Sequence, residues 1–373
     1  MYLDSEERVK EDDKVLVVVT NQYMFEQLLW YHSKYPEGIW EALIIKFGVG
    51  NNSLMDIMYQ KCVDSGIFSK IVVYGNQVSE QLFYKKIGIV IKYAFQYFMG
   101  TREKNDRRII KSIMGHCDYK KVIVHSTVSS STSVIALNAL SDEVLVCLED
   151  GLGDYLPVRK ARFCTEIVNS LLAKMNIVNS TTGGHAFQLK YDNHLIKYCS
   201  LPDKMQYKNY KSIKQLFDGG SYKVHFTESE MLLKKENYEV IVFSAPFADF
   251  GNYEKMYYNV LLNWLKRNYG GKKILFKPHP RENCDFCLDG LNLDIGGMEL
   301  AGERLLELMP DVEIVFTYTT TILLKACREN RDFKILCFDD VKSKQYHRAL
   351  KNDSNVLGIK KDDWIIVGDR KDE

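Results

Sequence analysis

The sequence predicts an α/β protein of two domains, each a mostly parallel sheet covered by helices. Short β-branched runs alternate with helical patterns along most of the chain, the signature of strand–helix–strand units. The alternation is less regular between Pro157 and Glu236. At 373 residues the chain also exceeds what a single hydrophobic core usually serves.

Val15-Leu-Val-Val-Val-Thr20 reads as a strand, Asn21-Gln22 as a loop, and the segment through Leu28, Leu29 and Trp30 as a helix. Ala42–Phe47, Lys70–Tyr74, Lys121–His125 and Val144–Leu148 continue the strands, with Ser126–Ser133 opening a helix before the last. The irregular stretch carries an expected helix at Ala161–Met175, a polar turn at Ser180–Gly184 and a crossing rich in lysine and tyrosine at Tyr207–Lys214. Alternation resumes with strands at Tyr238–Ser244, Lys273–Phe276, Val312–Phe316 and Phe333–Phe338. The domains are accordingly placed at 1–235 and 236–373.

A hydrophobic content of 46% is ample for two cores, so extensive disorder is not expected. With 50 basic and 49 acidic residues the net charge is +1, which gives no global field for nucleic acid; any anion site must be local. Nine cysteines, odd in number and mostly in apolar runs, are the usage of a reducing compartment. The close pair Cys284 and Cys287 has no second ligand pair at metal spacing. The charged N-terminus and the lack of a membrane-length apolar run point to a cytoplasmic protein.

One segment departs from the pattern. Glu80–Met99 interleaves aromatics and lysines, and Arg102, Lys104, Arg107, Arg108 and Lys111 follow. The preferred reading is an amphipathic helix packed on the sheet with its basic edge in water. The alternative is peripheral contact with an anionic membrane through Glu80–Lys111.

Three stretches carry chemistry. In Leu145–Tyr155 an apolar run ends in Glu149, Asp150 and Gly151, at the carboxyl end of a strand, where open α/β sheets bind ligands. Neighbours on a strand point to opposite faces, so one carboxylate can act as general base while the other bonds the scaffold; the bland reading is a polar turn. In Ile274–Arg281, Pro278 and Pro280 hold Lys277 and His279 extended, and an imidazole with a nearby lysine suits a phosphate. A capping or core histidine is the plainer reading, disfavoured by two flanking prolines out of seven in the chain. In Thr317–Lys325, Thr319, Thr320 and Thr321 follow a strand and open a helix, where hydroxyls and free N–H groups form an anion site or simply cap. Ser129–Ser133 is a comparable loop without a basic companion, assigned to acceptor-side lining. No GxxxxGK[ST] loop, GxSxG elbow or DxD sequence occurs.

An acidic pair before glycine, a His-Pro after a strand and a downstream hydroxyl cluster, in that order, resemble the motifs of bacterial sialyltransferases of the capsule and lipooligosaccharide type, with the bacterial polysialyltransferases nearby. Glu149-Asp150-Gly151 matches the D/E-D/E-G motif, His279-Pro280 the HP motif, and Thr319–Thr321 the S/T motif. The resemblance implies a GT-B fold, two Rossmann-like domains facing a central cleft, and an inverting, metal-independent transfer from CMP-sialic acid to a glycan or glycolipid acceptor, with no cofactor. It implies Asp150 as base, with Glu149 as neighbour or substitute, and His279 at the departing CMP phosphate. It also implies Thr319, Thr320 and Thr321 on phosphate oxygens, Lys277 at the cytosine, Pro280 in the donor site, and a glutamate on the ribose, Glu303 or alternatively Glu299. An all-threonine S/T motif leaves open which two hydroxyls touch phosphate. The competing readings are a CDP-glycerol-type glycerophosphotransferase, for which His125 and His185 are the first-half histidine candidates, and a non-catalytic GT-B subunit of a capsule assembly complex.

Overall fold

A computed structural model describes residues 8–20, 22–45, 52–74, 87–125, 131–149, 151–155, 194–205, 210–218, 228–245, 247, 254–279, 282, 291–296, 300–318, 320–339, 343–359 and 364–368. The chain divides into two compact units, Met1–Tyr222 and Lys223–Glu373.

The first unit is a seven-stranded sheet in the order β3-β2-β1-β4-β5-β6-β7, every pairing parallel. Its strands are β1 (Lys14–Val19), β2 (Ile39–Ile45), β3 (Lys70–Tyr74), β4 (Tyr119–Val124), β5 (Val144–Cys147), β6 (Leu195–Cys199) and β7 (Ser212–Gln215). Lys-Val-Leu-Val-Val-Val in β1 is buried from its second residue onward, as a central strand covered on both faces must be. Helix α1 (Gln22–Lys34) packs Trp30 and Tyr31 into the core with Val17, Trp40 and Tyr198. α2 (Asn52–Asp64), α3 (Ile87–Phe98), α4 (Arg102–Met114) and α5 (Ser131–Ala139) complete the helices described in this unit. α4 buries Arg102, Asp106, Ile110 and Met114, one face at four-residue spacing. It ends at Gly115, whose φ of 82° lies in the left-handed region that a C-terminal stop requires.

The second unit repeats the plan with six strands in the order β10-β9-β8-β11-β12-β13, again all parallel. These are β8 (Val240–Phe243), β9 (Ile274–Lys277), β10 (Leu293–Ile295), β11 (Glu313–Phe316), β12 (Phe333–Phe338) and β13 (Trp364–Val367). The helices are α6 (Glu228–Lys235), α7 (Glu254–Tyr269), α8 (Gly302–Leu308), α9 (Ile322–Arg328) and α10 (Lys344–Leu357). Alternation along β8 builds two cores: Val240 and Val242 join Tyr257 and Leu261 of α7, while Ile241 and Phe243 join Leu305 of α8 and Leu323 of α9. α6, N-terminal to residue 236, is tied into this unit by Glu230, which accepts from Arg304 Nε at 2.8 Å and Nη2 at 3.1 Å.

Both sheets are Rossmann-like, with strand order reversing between β1 and β4 and between β8 and β11. The two-domain α/β class read from the sequence is therefore the class observed. Strands β6, β7, β10 and β13 were not among those expected. β6 carries Lys197 in its middle, and β7 reads Ser-Ile-Lys-Gln, neither an apolar run. The helix expected at Ala161–Met175 lies outside the described residues. No helix among the described residues is long and apolar enough to cross a membrane.

Candidate active site

In the second unit, Phe243 of β8 is in register with Lys277 of β9 on one side and Phe316 of β11 on the other. The three strands end level, so Ser244-Ala245, Pro278-His279 and Thr317-Tyr318 leave the sheet side by side at its switch point. Ser244 N–H donates to the Lys277 carbonyl at 3.0 Å and Thr317 N–H to that of Phe243 at 3.1 Å, extending the ladder beyond the strands. The buried Thr317 hydroxyl donates to Phe243 O at 3.1 Å and accepts from Ala245 N–H at 3.2 Å, while Tyr257 OH donates to Thr317 O at 2.8 Å. Thr317 is therefore a scaffold residue that fixes where the following threonines begin.

The loop bearing half-buried His279 is organised by Glu282, a residue the sequence reading missed. Its Oε2 accepts from His279 N–H at 3.0 Å and Ser244 Oγ at 2.8 Å. Its Oε1 accepts from Phe247 N–H at 3.0 Å and Tyr258 OH at 2.7 Å. Burial pushes this carboxyl above the ordinary range, and the bonds from Tyr258, Phe247, Ser244 and His279 pull it back. A signal was present: a glutamate three residues after His279 has the spacing of a capping box, in which a side chain reaches back to an N–H.

On the other side of the switch, Thr320 Oγ1 accepts from Ile322 N–H at 3.1 Å at the start of α9, and Thr321 makes no side-chain cap bond. Glu303 is buried in the first turn of α8. The preceding Gly302 explains its position: a Cβ there would stand 2.1 Å from Ile322 Cδ1 and 3.1 Å from Phe243 Cε1. Only glycine lets α8 start this close to α9 and to the end of β8. The structure thus gathers Lys277, His279, Thr320, Thr321 and Glu303 at one carboxyl edge, whereas Pro280, Glu299 and Thr319 lie outside the described residues.

In the first unit, Glu149 leaves β5 fully buried. Its carboxylate accepts from Tyr23 OH, Tyr155 OH, Ser200 N–H at 2.9 Å and Ser200 Oγ at 2.8 Å. Its main chain is held by the Gln27 side chain, which accepts from Glu149 N–H at 2.8 Å and donates to Glu149 O at 3.0 Å. Four donors match the four lone-pair positions of a carboxylate, so Glu149 is spent on the scaffold. Burial raises its pKa, opposed by the bonds from Tyr155, Tyr23 and Ser200. Gly151 follows with φ of 93°, a left-handed turn that a side chain would strain. Beneath it, Lys197 Nζ meets Asp154 Oδ2 and Leu148 O, each at 2.8 Å, with no exposure at the lysine. Asp150 lies outside the described residues, as do Ser129 and Ser130 of the serine loop.

His125, at the switch between β1 and β4, is buried with Nδ1 3.3 Å from Thr20 Oγ1, and His185 lies outside the described residues. Cys284 and Cys287 are likewise outside them, and the described cysteines are free thiols. Among the described residues no group of three or more His, Cys, Asp or Glu is placed to hold a metal ion.

Two Rossmann-like domains in one chain, each a parallel sheet with one switch point, make a fold of the GT-B class. A family model for alpha-2,8-polysialyltransferases matches residues 78–286, spanning the acidic and His-Pro motifs. That is more than half of the chain, and the chain belongs to this sialyltransferase family. No curated protein matches it. Among solved structures, a UDP-GlcNAc 2-epimerase from Methanocaldococcus jannaschii is 12% identical with a TM-score of 0.49, covering 95% of this chain and 89% of that one. The UDP-GlcNAc 2-epimerase from Neisseria meningitidis bound to UDP-GlcNAc is 13% identical with a TM-score of 0.45, covering 92% and 90%.

Proposed function

We propose that the protein is an inverting, metal-independent sialyltransferase acting on the cytoplasmic side of the membrane. It moves sialic acid from CMP-sialic acid to a hydroxyl of a glycan or glycolipid acceptor, of capsule, lipooligosaccharide or polysialic acid type. The observation that carries the reading is that His279, after β9, and Thr320–Thr321, after β11, leave the same carboxyl edge of the second sheet on either side of β8, in a chain of the polysialyltransferase family.

In this scheme Asp150 takes the proton of the acceptor hydroxyl. The acceptor oxygen bonds to the anomeric carbon of sialic acid from the face opposite the phosphate, and the bond from that carbon to the phosphate oxygen breaks with its electron pair leaving on CMP. His279 donates to that phosphate as its charge grows, so the developing anion meets a positioned donor where it forms. Thr319, Thr320 and Thr321 hold phosphate oxygens, Lys277 and Pro280 shape the cytosine side, and Glu303, or Glu299, binds the ribose. The assignment of the base to Asp150 is supported by the engagement of Glu149, whose lone pairs are taken by Tyr23, Tyr155 and Ser200.

The test is a donor screen that follows CMP, CDP or UDP release with glycan acceptors. Release from CMP-sialic acid alone is expected. Turnover only with CDP-glycerol would replace the reading with glycerophosphate transfer, and inactivity with every donor would favour a binding subunit.

A further inference from the structure

We propose that Gln27 of α1 is a positioning residue of the transfer reaction, fixing the direction in which the chain enters Asp150. The inference rests on the reading of Asp150 as base. Gln27 stands ahead of residues 78–286, the segment that the family model matches, and it is fully buried. The registers of β5 with β4 and with β6 both end at Cys147. One residue later Leu148 N–H still donates to Val124 O at 2.7 Å, and Leu148 O accepts from Lys197 Nζ at 2.8 Å. Glu149 is then the first residue of β5 to leave the sheet.

Gln27 takes over where the ladder stops. Its Oε1 accepts from Glu149 N–H at 2.8 Å and its Nε2 donates to Glu149 O at 3.0 Å. A side-chain amide offers a donor and an acceptor in one plane, so it pairs with a residue as the edge of a neighbouring strand would. The Glu149 carbonyl and the Asp150 nitrogen belong to one rigid peptide plane, so this grip sets the plane from which Asp150 departs. Tyr23, one turn earlier on the same face of α1, donates its OH to the Glu149 carboxylate. Beyond Asp150, Gly151 O accepts from Asp154 N–H at 3.1 Å, and buried Lys197 holds Asp154 Oδ2 at 2.8 Å. The residues before and after Asp150 are thus each tied to a buried anchor. Anchoring α1 to the core does not need this amide, since Met24, Phe25 and Leu28 already pack there.

The experiment sets Gln27→Met, which keeps the length and loses both bonds, beside Leu28→Ala, which loosens the same helix without touching Glu149. For Gln27→Met, kcat of transfer per folded molecule is expected to fall by about ten- to hundredfold. Its KM for CMP-sialic acid and its affinity for CMP by isothermal titration should stay within about twofold of the native values. Leu28→Ala is expected to lower the melting temperature, followed by circular dichroism, and to keep kcat near native. Should Gln27→Met not fold, Gln27→Asn, one methylene too short to reach, carries the same expectation. Equal losses of kcat in the Gln27 and Leu28 variants overturn the proposal, because the glutamine would then only hold the helix. Native kcat in Gln27→Met beside an inactive Asp150→Ala chain overturns this inference alone. Near-normal transfer by Asp150→Ala, or none by the native chain, takes down the reading of the base and this inference with it.

Discussion

Glu282 and His279 clasp each other: His279 N–H donates to Glu282 Oε2 at 3.0 Å, and Glu282 N–H donates to the His279 carbonyl at 2.9 Å. The same carboxylate gathers Ser244 after β8 and Tyr258 from α7. The loop bearing His279 is thereby tied to two other elements of its own unit. In the proposed reaction Glu282 acts through His279, as a positioning residue.

Glu282→Gln keeps the shape but turns an amide N–H₂ toward two donors. Each buried bond lost this way costs about 1–3 kcal/mol. We expect kcat to fall by roughly ten- to hundredfold through displacement of His279, with KM for the donor little changed. Steady-state kinetics beside a urea melt check this; a variant destabilised but with unaltered kcat would assign Glu282 to folding only.

Glu149 sets a pH dependence of stability. Its folded pKa is raised by burial, so the folded state holds this proton more readily than the unfolded chain. Its contribution is then largest below the ordinary carboxylate pKa of about 4.3 and declines as pH rises toward the raised folded value. Urea unfolding across that window should show the stability difference between the native chain and Glu149→Gln shrinking with rising pH. A difference that grows instead would mean that the four donors outweigh burial.

Gly302→Ala places a methyl group 2.1 Å from Ile322 Cδ1. A loss of about 1–3 kcal/mol is expected from overpacking, with a raised KM for CMP-sialic acid as α8 and Glu303 shift. Ile322→Ala in the same chain should recover part of the loss, and a double-mutant cycle measures that coupling.

Asp150→Ala is expected to abolish transfer while CMP still binds, whereas His279→Ala is expected to slow cleavage of the donor bond even when water is the acceptor. Isothermal titration with CMP and donor hydrolysis measured without acceptor separate the two roles. Near-normal transfer by Asp150→Ala would remove it as the base.

The central strands were legible because burial on both faces demands unbroken apolar runs, as in Val15–Val19 and Val240–Phe243. β6 was hidden by Lys197, a cation tolerated at full burial because Asp154 and the Leu148 carbonyl meet it. β7 is polar in sequence, and β10 is three residues long. The acidic end of β5 could be read from sequence, since an apolar run stopping at carboxylates is a local pattern. The task of Glu149 could not, because it depends on Tyr23 and Ser200, distant in sequence. Of Glu282 only the local bond to His279, three residues away, could be read from spacing; its partners Ser244, Phe247 and Tyr258 come from other segments.

The hydrogen bonds from Ser200 to Glu149 span 51 positions of sequence. On a ribosome adding about 5–20 residues per second, β5 and its acidic end are synthesised several seconds before Ser200. Until β6 docks, the outer edge of β5 is unpaired and the Glu149 carboxylate lacks two of its four donors. The nascent chain therefore passes through a window in which this edge is open to chaperones and to neighbouring chains. Slowing or speeding translation between Gly151 and Ser200 should change the yield of folded protein more than the same change placed after β7.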